Sequence, residues 1–345
     1  MKRNAVIALL LALCLFLSAC GVVPETAAPV IDENTVVDGA GRALKIPENI
    51  DEYSISSVYA VSVPFIVALG LSDRVAAINV KSKFWKEADE NLAAAGSVGR
   101  GVVDLEGLAK LTPTVLIHRS NDPETVEAVT GKLGIEVFCI TVEDLDDIKA
   151  TLTDLGRFFR KEDRVAEVIG WIDAKFQWMN ELTNNIPLEE RKTALLMGGE
   201  LGRIAGGDML QSWMIEQAGG ICTAADVGED HDWCNVGVET VFEWNPDFLF
   251  LTSSTGLDYD PDKLPDDPVW SGMTAMQEHQ VYQIPARTDS WDMPGISCVL
   301  GTMYMLHCMY PELLDAETLQ AEIDDYYSFM FGRTFTAGEL GYELD

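Results

Sequence analysis

The chain has 345 residues, 48% of them apolar, which supplies a substantial core and excludes a disordered chain. That length suits one large or two medium domains. The formal charge is −32, from 56 acidic and 24 basic residues; such a surface repels nucleic acid and excludes it as a partner, and it favours solubility.

The N-terminus carries a targeting layout. Lys2 and Arg3 form a positive n-region, and Ala5 to Leu17 is an unbroken apolar run too short to span a bilayer comfortably as a helix. Leu17-Ser-Ala-Cys20 closes it and resembles the lipobox of bacterial lipoproteins. The resemblance implies a lipoprotein signal peptide over 1–19, cleavage before Cys20 and acyl chains, palmitate among them, on that cysteine. Two chains anchor a protein stably where one does not. Residues 20–34, Pro- and Ala-containing and without periodicity, read as a lipid-anchored tether. The expected location is the extracytoplasmic face of the cell membrane, where ATP and nicotinamide cofactors are scarce and capture or sensing is favoured.

Structure is expected from Thr35, with a hairpin turning at Gly39-Ala-Gly41 and returning through Ala43 to Ile46. Strands at 53–58, 75–80, 114–118 and 137–142 alternate with helices at 63–69, 105–111 and 125–133. This rhythm argues a parallel α/β sheet and defines an N-terminal lobe over 35–160. Leu145 to Phe159 reads as a helix. Glu162 to Leu182 is a second, with Val165, Val168, Ile169, Ile172, Phe176 and Met179 at helical spacing; it places an interlobe helix at 161–184. The α/β pattern restarts in a C-terminal lobe over 185–345, with strands at 194–197, 248–252 and 281–284 and helices at 209–218, 238–244 and 294–310. The segment Leu105 to Ile117 parallels Val238 to Phe250. Glu106 matches Glu239, Leu108 matches Val241, and Pro113 matches Pro246, which suggests two similar lobes.

Cys14 leaves with the signal. Cys139, Cys298 and Cys308 sit in apolar patterns and read as core, whereas Cys222 and Cys234 could form a disulfide in an oxidising compartment. No zinc spacing is present, and no hydrolase motif marks a catalytic residue.

Several segments together resemble the substrate-binding lipoproteins of ABC importers for iron–siderophore, haem and cobalamin, from Val36 to about Phe331. They are Val37 to Pro47, Ala68-Leu-Gly-Leu-Ser-Asp-Arg-Val75, Leu133-Gly-Ile-Glu-Val137, Ala218-Gly-Gly220, Asp267-Pro-Val-Trp270 with His279-Gln-Val-Tyr282, and Tyr310-Pro-Glu-Leu313. The resemblance implies two Rossmann-like α/β lobes joined by a single long helix, with the ligand in the cleft between them. It also implies a monomer without cofactor or resident metal, working with a permease dimer and a cytoplasmic ATPase. In that family an acid on each lobe pairs with permease arginines, and the matching positions are Glu106 and Glu239. An acid in a first helical turn also offsets the helix dipole, so either residue alone has a structural explanation.

Ligands of α/β lobes sit beyond the carboxyl ends of the strands. This nominates Ser57, Tyr59, Lys81, Lys83, Trp85, Arg100, His118 and Arg119 in the first lobe. In the second it nominates Glu200, Arg203, Trp233, Arg287, Trp291 and Asp292. Arginines suit anionic chelates, and aromatics offer flat walls. His118 or His231 could cap a haem iron or corrinoid cobalt, although loop hydrogen bonding is the plainer role. Met303, Met305 and Met309 near His307 read as core packing rather than a soft-metal site. A ferric siderophore is the first expectation for the cargo, with corrinoid or haem next. A sensing receptor and a chelate-processing enzyme are the competing classes.

Overall fold

The computed structural model describes residues 32–80, 82–228, 231–285 and 290–342. Cys20, Lys81 and Arg287 therefore lie outside the described residues. The chain opens with a hairpin, β1 (Thr35–Val37) against β2 (Ala43–Lys45), antiparallel. Its turn docks on the first lobe. Asp38, buried, accepts a hydrogen bond from the Cys139 N–H (3.0 Å) and pairs with Arg42 (2.5 Å), while the Gly39 N–H donates to the Cys139 carbonyl at 2.8 Å. Gly39 is required there, because a Cβ would lie 2.6 Å from the Thr141 nitrogen.

The first lobe holds a five-stranded sheet of β3 (Ile55–Ser57), β4 (Val75–Ile78), β5 (Gly96–Ser97), β6 (Val115–Arg119) and β7 (Glu136–Ile140), in the order β5-β4-β3-β6-β7 and all parallel. A parallel sheet is covered on both faces, so its strands are apolar throughout. Leu116, Val137 and Cys139 face one core; Val115, Ile117, Phe138 and Ile140 face the other, as the two-residue period of a strand requires. Around it run α1 (Ser62–Ala68), α2 (Lys83–Ala88), α3 (Glu90–Ala93), α4 (Leu105–Leu111), α5 (Pro123–Leu133) and α6 (Leu145–Phe159). Asp144 caps α6 by accepting the Asp147 N–H at 2.8 Å.

The interlobe helix α7 (Glu162–Thr183) has 22 residues and so spans roughly 33 Å. Its buried stripe is Val165, Val168, Ile172, Phe176 and Met179. The second lobe builds its sheet from β8 (Thr193–Met197), β9 (Arg203–Ala205), β10 (Ile221–Cys222), β11 (Trp233–Asn235), β12 (Phe248–Leu251) and β13 (Val281–Gln283). Here β8, β12, β13 and β10 are parallel, while β9 and β11 add an antiparallel edge. Its helices are α8 (Leu210–Gln217), α9 (Val238–Trp244), α10 (Thr274–Gln277) and α11 (Cys298–Met309). The last starts later than the sequence pattern suggests, because 290–297 forms a set of turns. Gly301 lets these turns lie on the helix: a Cβ there would meet the Trp291 carbonyl at 2.2 Å. Met303, Met305 and Met309 are buried, and Cys222 and Cys234 are free thiols.

Two further helices follow, α12 (Ala316–Phe331) and α13 (Ala337–Leu340). Helix α12 runs beside α7. The Trp171 indole donates to Asp325 (2.9 Å), Lys175 pairs with Glu322 and Asp325, and Arg164 stacks over Phe329 at 4.3 Å. It also reaches the first lobe, where Phe331 stacks on Trp85 at 5.1 Å, and Phe335 beyond it meets Phe84 at 5.3 Å. The lobes are thus joined by one long helix and braced by a second. Each aromatic pair adds about 1 kcal/mol to that brace.

Candidate functional site: the cleft between the sheets

In the first sheet the chain leaves β3 toward β4 and β5, then crosses to β6 and β7. The crevice at such a reversal, beyond the strand ends, is where open α/β sheets bind ligands. Hydroxyl bonds shape it. The Ser57 hydroxyl donates to the Ile117 carbonyl (3.0 Å) or to the Tyr59 carbonyl (3.1 Å) and accepts the Tyr59 N–H (3.2 Å); Ser62 donates to Ser57 at 2.5 Å. The Asn79 amide ties down the Val58 carbonyl at 2.5 Å.

The second sheet faces this crevice with the residues after β12 and β13. Between the lobes lies a cavity of about 430 Å³, within the range of small-molecule sites. The first lobe contributes Tyr59, Asn79, Trp85, Arg100, His118 and Arg119. The second contributes Ser253, Ser254, Ser290, Met293 and Ser297, together with the turn at Pro294.

Each first-lobe side chain has a local cause for its position. Arg100 stands on a tight loop between two glycines with positive φ, Gly99 (125°) and Gly101 (81°). A Cβ on Gly99 would lie 2.0 Å from the Val102 carbonyl. Arg100 is exposed and has no ion-pair or hydrogen-bond partner among the described residues. His118 is buried at the end of β6, and its Nε2 lies 3.0 Å from Asp122, which Arg119 also approaches at 3.4 Å. Burial pushes the His118 pKa down against the pull of Asp122. The neutral ring therefore donates from Nε2, leaving the buried Nδ1 an acceptor without a partner among the described residues. Burial raises the Asp122 pKa, but hydrogen bonds from His118 and Thr125 outweigh it and bring it to about 2. Burial, with Glu143 second, pushes the Tyr59 phenol up to about 12, so it stays neutral. Trp85 is buried beneath the cavity against Phe331.

Of the second-lobe nominees among the described residues, none lines the cavity. Trp291 is wholly buried rather than facing the cleft: its indole N–H donates to the Tyr327 hydroxyl (3.2 Å) and its ring packs on Tyr342 at 5.4 Å. Arg203 and Trp233 do not line the cavity. They pack together on the antiparallel edge, the guanidinium 6.0 Å from the ring centre, and Trp233 rests on Gly198. Asp292 is fully buried behind the wall. His231 takes a positive φ of 56° in a loop held by its N–H to Asp208 at 2.9 Å. The wall itself is serine. Ser253 and Ser254 lie two and three residues past the end of β12, so the strand-end rule reaches them, but serine carries no chemical flag in the sequence. Among the described residues no three His, Cys, Asp or Glu side chains converge as metal ligands.

Glu106 and Glu239 occupy the same place in their lobes, the second residue of α4 and of α9. Each helix runs back to the start of the next strand, so its N-terminus lies at the cleft edge of the sheet. Both acids are exposed. Glu106 pairs with Lys110 at 2.7 Å, a surface pair worth little.

The comparisons agree with this geometry. The family model described as periplasmic binding protein matches residues 55–288. A periplasmic solute binding protein from Veillonella parvula superposes with a TM-score of 0.74 at 23% identity, covering 90% of this chain and 96% of that one. The molybdate periplasmic binding protein MolA of Haemophilus influenzae, bound to molybdate, gives 0.72 at 18% identity, covering 88% and 99%. Helicobacter pylori CeuE with Ni(II) bound gives 0.69 at 17% identity, covering 89% and 98%. At these identities the likeness is one of fold. No curated protein matches the sequence. Proteins of this family carry no resident cofactor, and what fills such a cleft is the transported solute. With two α/β lobes, one connecting helix, a cleft at the strand ends and a family match over well over half its length, the chain belongs to the periplasmic binding protein family, the extracytoplasmic solute-capturing components of ABC importers.

Proposed function

We propose that this protein captures a compact anionic metal chelate, a ferric siderophore first among them, and hands it to a membrane permease without chemical change. The observation that carries the reading is Arg100. In a chain with 56 acidic residues, it stands at the cleft without a counter-ion among the described residues. An unpaired guanidinium there suits a carboxylate, catecholate or hydroxamate oxygen through charge-assisted hydrogen bonds. Arg119 and the neutral phenol of Tyr59 extend the same wall. A cavity of about 430 Å³ favours a compact complex over a corrinoid. A bare oxyanion is the second reading, favoured by the same cation and cavity and by the molybdate in one structural relative.

Delivery rests on Glu106 and Glu239, fixed negative points on opposite lobes that permease arginines can pair with bidentately. Cys20 carries the lipid that holds the monomer at the membrane surface. Ligand binding biases the braced lobes toward the form the permease recognises.

The test is a screen of the soluble form beginning after Cys20. Intrinsic tryptophan fluorescence and thermal shift are followed against ferric siderophores, molybdate, haemin and cobalamin. Saturable quenching and raised stability with ferric chelates are expected. A response to haemin or cobalamin alone would overturn the cargo assignment.

A further inference from the structure

Resting on the capture reading, we infer that the Ser253–Ser254 edge of the second-lobe wall is built as a hydrogen-bond acceptor, with Asp292 as the residue that sets its polarity. Asp292 is fully buried, and three donors converge on its carboxylate: the Thr252 hydroxyl, the Ser253 hydroxyl (3.0 Å) and the Ser253 N–H (3.3 Å). Among the described residues the other acceptor within reach of the Ser253 hydroxyl is the Pro285 carbonyl at 3.2 Å, and either choice points its hydrogen into the protein. Thr252 gives its own hydrogen to Asp292 and accepts the Ser254 N–H at 3.1 Å. The Ser254 hydroxyl, 2.8 Å from the Thr252 oxygen, is then the donor of that pair.

A hydroxyl has one hydrogen and two lone pairs. With both hydrogens directed inward, Ser253 and Ser254 offer lone pairs alone to the cavity they line. The facing wall carries two groups that only donate, Arg100 and Arg119, beside the neutral Tyr59 and His118. The cleft is therefore polarised, and the solute class follows: a complex with an anionic edge toward the first lobe and N–H or O–H groups toward the second. Asp292 touches no solute. It is a positioning residue, acting through the two serines.

Two measurements decide this. Neutron diffraction from crystals of the deuterium-exchanged soluble form locates the hydroxyl deuterons without any ligand. Deuterons of Ser253 directed to Asp292 or Pro285, and of Ser254 directed to Thr252, are expected. A deuteron on the Asp292 carboxyl, or serine deuterons pointing into the cavity, would overturn the inference. The second is a matched probe pair: a ferric tris-catecholate bearing primary amides and its N,N-dimethylated counterpart, alike in metal and charge. The primary amide complex should bind about tenfold more tightly, the worth of one hydrogen bond. In Asp292→Asn, whose amide can donate to the hydroxyls, that ratio should fall toward one even where overall affinity also changes. Equal binding of both probes to the unaltered protein overturns the inference and leaves capture standing. Failure of both to bind counts against chelate capture, and the neutron map still decides the wall's polarity.

Discussion

Residues 104–119 of the first lobe and 237–252 of the second follow the same path. A seven-residue helix ends on a left-handed residue, Thr112 (φ 45°) or Asn245 (φ 41°), passes a proline and enters a central parallel strand. Beyond the strand the two part company. The first ends on His118 and Arg119, steadied by Asp122 only a few residues on. The second ends on Thr252 and Ser253, steadied by Asp292 forty residues away. Asp122 is partly exposed and its pKa is lowered to about 2. Asp292 is sealed, and burial pushes its pKa up against the pull of its hydroxyl and amide donors. A repeated scaffold thus presents a cationic wall and a neutral hydroxyl wall, and what differs is which carboxylate stands behind each.

The largest effect should come from the element the lobes share. Reversing both acids, Glu106→Lys with Glu239→Lys, should abolish uptake in cells carrying the cognate permease while solute affinity stays unchanged. Normal uptake by the double variant would remove these residues from docking. Removing the carboxylate behind the second wall should be costly to the fold: Asp292→Ala leaves Thr252 and Ser253 without their buried acceptor and should lower stability by about 3 kcal/mol in urea unfolding. Arg100→Ala, by contrast, loses no internal partner and should leave stability within about 0.5 kcal/mol.

Acid should separate the walls more gently. The folded pKa of His118 is depressed, so its contribution is whole above the ordinary histidine value near 6.5 and is lost as pH falls below it. For Asp122, also depressed, the contribution is whole above the ordinary 3.8 and is lost as pH falls toward about 2. Urea unfolding from pH 7.5 to pH 5, buffer values chosen to bracket about 6.5, should show a decline that His118→Gln removes. An unchanged pH slope in that variant would mean the histidine is not held neutral.

Much of the fold was legible in the sequence because its signals are local and long. Helices 105–111, 145–159 and 238–244 fall where the sequence pattern puts them. The strands at 203–205, 221–222 and 233–235 are two or three residues each and too short for any periodicity. Helix 316–331 carries a local signal outside the expected elements, an Asp315 cap and Leu319, Ile323, Tyr326, Tyr327 and Met330 on one face, but what it braces follows only from tertiary packing. In the site, strand ends pointed to Ser57, Tyr59, Lys83, Trp85, Arg100, His118 and Arg119 among the described residues, and all but Ser57 and Lys83 line the cavity. The second-lobe nominations weighted charge and aromaticity. Trp291 shows the cost of that weighting, since a tryptophan suits a core as well as a cleft, whereas the serines that form the wall are chemically modest until their partners are seen.

The most direct measurement is the affinity of the soluble form and of Arg100→Ala for a ferric tris-catecholate, read by tryptophan quenching. Saturable binding is expected, weakening about 10- to 100-fold in the variant, the worth of a charge-assisted hydrogen bond. Equal affinity in the two proteins, or no binding to either, would contradict it.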